Sequence, residues 1–267
     1  MSNNISKPKR SGAQVTLLVI ASYLLFKFLL DSYFSSIRFS FRTVIRNDLI
    51  SGMLTYLIVV VPLIIGVLII HKGKDFWASI GLNKSMPLGL LIAFLGTLPM
   101  LIGFALIFDI NPNLSFSKIM WGAVVAAFFE EVVYRGVFFG QLFRYTKIGF
   151  ISAILLVSIL FAVEHLYQSQ DLATLAGIFV TTLLGSVLFA WLFVEWDFNL
   201  WVPIFLHFFM NAYWIAFAAS ANALGNTTAN ICRVASILLI IALTIIYKRR
   251  KGLPLNINKR NLLLNPS

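Results

Sequence analysis

Cysteine is nearly absent from this chain. Cys232 stands alone among 267 residues, which excludes an internal disulfide and a Cys-rich metal centre. Charge is also scarce, at 12% against about 25% in soluble domains. Acids are the rarer sign, ten against 21 Lys and Arg, and there are only three histidines. No internal repeat, low-complexity tract or linker interrupts the sequence, so a single compact domain is expected. What is abundant is apolar: 60% of residues are hydrophobic and the mean hydropathy is +0.90. This composition describes a membrane protein whose solvent is mostly lipid. The net charge of +11 is not the footprint of a nucleic-acid binder, because the basic residues cluster at the ends of apolar runs, where they anchor and orient helices.

Crossing ~30 Å of hydrocarbon takes about 20 helical residues. Eight runs qualify as candidates: 15–30, 49–70, 86–108, 119–140, 148–166, 172–194, 198–219 and 232–247. The expected fold is therefore all-α, a polytopic bundle of about eight transmembrane helices. Three N-terminal helices fall in 1–117, a catalytic core in 118–219, and the last helix with a basic cytoplasmic tail in 220–267. Lys7, Lys9 and Arg10 precede the first run and no small-residue cleavage site follows it, which reads as an uncleaved first span. Lys27, near the end of that run, is expected to snorkel to the headgroups. If both termini lie in the cytoplasm, the inner segments hold Lys7, Lys9, Arg10, Lys72, Lys74, Lys84, Arg144, Lys147 and six basic residues between 248 and 260. The outer segments hold only Arg38, Arg42, Arg46, Lys118 and Arg233. That bias places both termini inside a cell membrane.

Against this background the stretch AAFFEEVVYRGVFFG, from Ala126 to Gly140, is costly. A charged residue at a helix centre costs about 2.5–3.5 kcal/mol on insertion scales, and this run has three. Glu131 and Arg135 are four apart, so they share a helix face and can pair. Glu130 lies about 100° around the helix from Glu131 and faces a different neighbour. One carboxylate is then neutralised, and the other is free to act as a general base. Which of the two is the base stays open at this level.

More polar groups follow on other spans. Glu164 and His165 end the fifth run, and His207 and Asn211 sit four apart on the seventh. Any one of them alone would be a helix–helix hydrogen bond. Together, carboxylates, two histidines and an asparagine on three helices form a set suited to water attack on an amide. Glu takes a proton, one His orients the water, and His and Asn donate to an oxyanion. His71, beside Lys72 at a span end, reads as interfacial. Ser186, after Gly185, reads as a packing surface. Counting ~1.5 Å per residue from the cytoplasmic boundaries, Glu130 is ~15 Å deep and His207 ~14 Å. His165 falls at ~26 Å, so a shared site needs the fifth span to start later or to tilt.

Other intramembrane protease chemistries do not fit. No HExxH pair of histidines is present, and no Asp lies well inside a span. The remaining residues resemble a family. EEVVYRG matches the EExxxR motif, FAVEH (Phe161 to His165) the FxxxH motif, and HFFMN (His207 to Asn211) the HxxxN motif. These are the motifs of the CPBP family, the CAAX proteases and bacteriocin-processing enzymes also called Abi. The resemblance spans about 118–214. It implies an eight-helix intramembrane endopeptidase related to the type II CAAX prenyl protease. It implies that Glu130 with His165 activates water, that His207 with Asn211 forms the oxyanion hole, and that Glu131 and Arg135 support the site. Glu164 departs from the usual small or apolar neighbour of the motif histidine and adds a third carboxylate.

No cofactor is expected. Two His and a Glu could bind zinc at Glu130, His165 and His207, but a metal-free mechanism better accounts for Asn211 and the missing third strong ligand. The expected partners are the bilayer and a peptide or protein substrate entering from the membrane or cytoplasmic side, with no assignment to prenylated substrates. The alternative is a non-catalytic membrane scaffold or bacteriocin self-immunity protein that keeps the polar cluster for packing. A transporter using a proton relay would show paired broken helices, which the sequence lacks.

Overall fold

A computed structural model describes residues 8–265; Lys7, counted above among the inner charges, lies outside them. Among the described residues the structure is helical, without strands beyond one isolated bridge between Ile148 and Leu264. We label the long elements α1 (Gly12–Ile45), α2 (Asp48–Ile70), α3 (Met86–Ile107), α4 (116–145), α5 (Phe150–Val163), α6 (Leu172–Glu195), α7 (Trp201–Ala216) and α8 (Thr227–Arg250). Six helices are long and apolar enough to cross a membrane, with α5 counted through Gln168; α7 is apolar but shorter. The chain is a multi-pass integral membrane protein.

Polar caps set where most runs begin. Ser11 and Gln14 form a capping box on α1. Asn47, Ser85, Asp171 and Asn226 accept the first free N–H groups of α2, α3, α6 and α8, holding donors that lipid could not satisfy. α7 differs because it starts inside the bundle. The buried Leu200 donates its N–H to the Gly81 carbonyl at 3.2 Å. Gly81 sits at φ +86°, and a Cβ there would lie 2.3 Å from the Phe198 oxygen, so only glycine allows this close crossing. A sixteen-residue helix is about 24 Å long at 1.5 Å per residue, and its buried start explains why it can be short.

α3 packs along both α7 and α8, α5 pairs with α6, and α1 with α2. The largest core joins α1, α2, α4 and α5 through residues such as Tyr23, Val67, Phe138, Leu142 and Val157. Ser158 on α5 donates to Ser186 on α6 at 2.9 Å, both buried, which matches the packing role read for Ser186. The start of α1, the ends of α2, α4, α6 and α8, and the tail all gather at one end of the bundle. Lys9 bonds to Ile70, and Asn265 bonds to Lys147. The basic segments assigned above to one side of the membrane therefore share one end of the molecule.

Several readings change. α1 runs 34 residues, about 51 Å at 1.5 Å per residue, so it overshoots the hydrocarbon and carries Arg38 and Arg42 beyond it. Lys27 does not snorkel. It pairs with Asp31 and Glu164 at 2.6 Å each, because two carboxylates within reach outcompete distant headgroups. His71 follows the last residue of α2, as read, and is buried there, 2.6 Å from the Gln141 side-chain oxygen and edge-on to Tyr145. Burial pushes its pKa below the usual histidine value, an effect that the Gln141 hydrogen bond opposes. The basic segment after α8 packs back on the bundle. Asn261 and Leu262 carbonyls accept the first N–H groups of α5, and Asn256 and Ile257 donate to Glu195.

Candidate active site

The fourth span is not a regular helix. Two π-helical stretches, Met120–Val125 and Val132–Phe139, flank the α-helical Ala126–Glu131. The N–H of Gly140 reaches back five residues to the Arg135 carbonyl. π-turns of this kind are frequent at functional sites, and here they bracket the two glutamates.

Glu131 and Arg135 pair as their spacing predicts, with Arg135 Nη1 donating to Glu131 Oε1 at 3.0 Å. Both are fully buried. His207 of α7 donates from Nδ1 to the same Glu131 oxygen at 2.8 Å. The Arg135 guanidinium lies 4.6 Å from the Phe161 ring centre and 5.4 Å from that of Phe189, so aromatic faces offset part of its burial. This network ties α4 to α5, α6 and α7. Phe161, the first residue of the FxxxH motif, and Phe189, which the sequence did not single out, are the walls that make a buried arginine tolerable.

Glu130 is different. Its side chain is 31% exposed and lies 3.9 Å from His207 Nε2. It lines a cavity of about 200 Å³ together with Tyr56, Tyr134, Phe161, Glu164 and His165. Its Oε2 is buried without a hydrogen-bond partner among the described residues. His165 donates from Nδ1 to the Phe161 carbonyl at 2.8 Å. A carbonyl only accepts, so Nδ1 carries the hydrogen and Nε2 of the neutral ring is an acceptor.

The depth gap between Glu130 and His165 closes. α4 runs on to Tyr145, and α5 begins at Phe150. Each residue is then fifteen positions from that end, about 22 Å at 1.5 Å per residue.

Asn211 is close but otherwise engaged: its Nδ2 donates to the Gly122 carbonyl at 3.0 Å. Glu164 faces the cavity and is held by Lys27 through Oε2. Lys27 and Asp31 were missed as site neighbours; their i,i+4 spacing inside an apolar run was the available signal. Glu130, His165 and His207 do not form a three-ligand cluster among the described residues, and no other three His, Cys, Asp or Glu side chains there do so.

Comparison with known proteins bears on the same stretch. Residues 112–213 match the model of the family described as type II CAAX prenyl endopeptidase Rce1-like. The matched segment is similar to that family. It contains all seven residues named by the three motifs and the cavity wall contributed by α4 and α5. The chain is also 33% identical over 95 residues to the "Putative membrane peptidase YdiL" of Bacillus subtilis (strain 168), a match covering 36% of this chain and 34% of that protein. The chain thus spans about a third of the length of the curated relative it matches. No solved structure matches it. The matched segment ends within α7, so α1, α2, α3 and α8 fall outside it.

Proposed function

We propose that the chain is an intramembrane endopeptidase that hydrolyses a peptide bond of a membrane-associated peptide or protein. The observation that carries this reading is the placement of Glu130 and His165, from different helices, on one cavity that the neighbouring Glu131, held by Arg135 and His207, does not line. Glu131 is committed to Arg135 and His207 and lies out of the cavity, so we assign the base to Glu130.

In this mechanism Glu130 takes a proton from water, whose oxygen bonds to the scissile carbonyl carbon. His165 Nε2 accepts the water's other hydrogen and orients it. The carbonyl becomes an oxyanion opposite the base, and His207, aligned by Glu131, donates to it from Nε2 when protonated. Glu130 then returns its proton to the leaving nitrogen as the C–N bond breaks. Asn211 first holds α7 against α4 through Gly122, and it reaches the oxyanion only on leaving that carbonyl. We further assign both termini to the cytoplasm, because the end of the bundle that gathers them also gathers most of the Lys and Arg.

The test compares the cellular peptides of strains carrying the natural protein and Glu130→Ala. Processing that disappears at unchanged membrane abundance supports the peptidase, and processing that persists rejects it. The second reading, a scaffold or self-immunity protein, draws on the fully buried Glu131–Arg135–His207 network. It expects Glu130→Ala to leave the peptide pool unaltered and substitutions in the network to reduce abundance.

A further inference from the structure

The cavity beside Glu130 has more polar and aromatic surface than water activation uses. Aromatic rings of Phe26, Tyr56, Phe129, Tyr134, Phe161 and Tyr167 line it, with Glu130, Glu164 and His165. Its charged lining is therefore all carboxylate; no Lys or Arg lines it among the described residues. Behind the Phe161 wall lies the Arg135 guanidinium, already paired with Glu131; at the Glu164 end Lys27 reaches in from α1 and is divided between Glu164 and Asp31, 2.6 Å from each. Glu164 and Asp31 thus share one ammonium in a largely lipid-surrounded setting.

At about 200 Å³ the space holds one long side chain rather than a chain segment. An anionic guest would face two carboxylates. An apolar guest would leave Glu164 with only a shared ammonium where desolvated charge is costly. A cationic guest gains an ion pair and aromatic faces together. We propose that this cavity is the specificity pocket of the peptidase described above, on which this inference rests. It takes a lysine or arginine side chain of the substrate, with Glu164 as the counter-charge. The cation seats at the Glu164 end, exchanging with Lys27, which leaves Glu130 to face the adjoining peptide carbonyl. Glu164 is then a specificity residue: it touches the substrate side chain, not the reacting atoms.

The full-length protein, reconstituted in lipid, is assayed on peptides identical except for Lys, Arg, norleucine or Glu beside the scissile bond. Lys and Arg peptides are expected to be cleaved with kcat/KM about tenfold above norleucine. Glu164→Gln is expected to bring that ratio to near one, the loss falling mainly on the Lys and Arg peptides. Lys27→Met, which releases Glu164 from its resident partner, is expected to raise the ratio, and it serves where Glu164→Gln fails to fold. A ratio near one in the natural protein, or one kept in Glu164→Gln, overturns the pocket while leaving the peptidase standing. Binding of the fluorescently labelled Lys and norleucine peptides to Glu130→Ala is measured alongside. Lys-selective binding without any cleavage by the natural protein keeps the pocket and removes the peptidase; equal binding of the two removes the pocket.

Discussion

Glu130 and Glu131 are neighbours in sequence with opposite circumstances. Glu131 accepts from a guanidinium and an imidazole and is sealed, whereas Glu130 looks into a cavity. Removing one member of a buried pair strands the other charge and costs about 3–5 kcal/mol. Glu131→Gln should therefore lower the melting temperature clearly, along with any activity. Glu130→Gln should leave melting close to the natural value and reduce hydrolysis by about 100- to 10,000-fold. Thermal unfolding in detergent beside a peptide assay separates the two. His71 gives a pH effect of known sign. Burial lowers its folded pKa, so an unfolded chain binds a proton that the native site resists. Its contribution is present above the unfolded value of about 6.5 and is lost as the pH falls below it. Melting temperature should drop from pH 7.5 to 5.5 more steeply in the natural protein than in His71→Gln.

Elements show why the termini of these helices matter. α5 has no side-chain cap of its own; the tail supplies carbonyls to its first N–H groups. The tail also brings two backbone donors to Glu195, which Lys248 reaches as well. A hydrogen bond to a charged group is worth about 1.5–3 kcal/mol. Truncation after Gly252 should thus destabilise the protein by several such bonds and loosen the start of α5, read out as earlier hydrogen exchange at Phe150 and Ile151. The π-stretches of α4 belong to this scale too. They were not visible in the apolar periodicity of 119–140, because a π-turn changes backbone pairing and not residue type.

At the scale of the molecule, the topology has a direct check. In a Cys232→Ser background, a cysteine at Asn113 should react with an impermeant maleimide in intact cells. One at Lys74 should react only after lysis. The reverse pattern would invert the assigned orientation without disturbing the helix packing. The same bundle accounts for the meeting of motifs that lie far apart in the chain: α4 and α7 cross at Glu131 and His207, and α5 delivers His165 to the wall that α4 begins with Glu130.

The amino-acid order alone determined that the chain lives in lipid, roughly where its helices lie, and that Glu131 and Arg135 pair, because transfer energies and helical spacing are local properties. It also marked the six polar residues, since ionisable groups are rare in hydrocarbon. Only tertiary structure decided that Glu131 serves the network while Glu130 faces the cavity, and that Lys27 answers Glu164 instead of the headgroups. It also decided that Asn211 is held by Gly122 and that the tail is a cap. Each of those outcomes depends on a partner from another helix or from the tail, and side chains in a low-dielectric interior go to whatever partner the packing brings within reach.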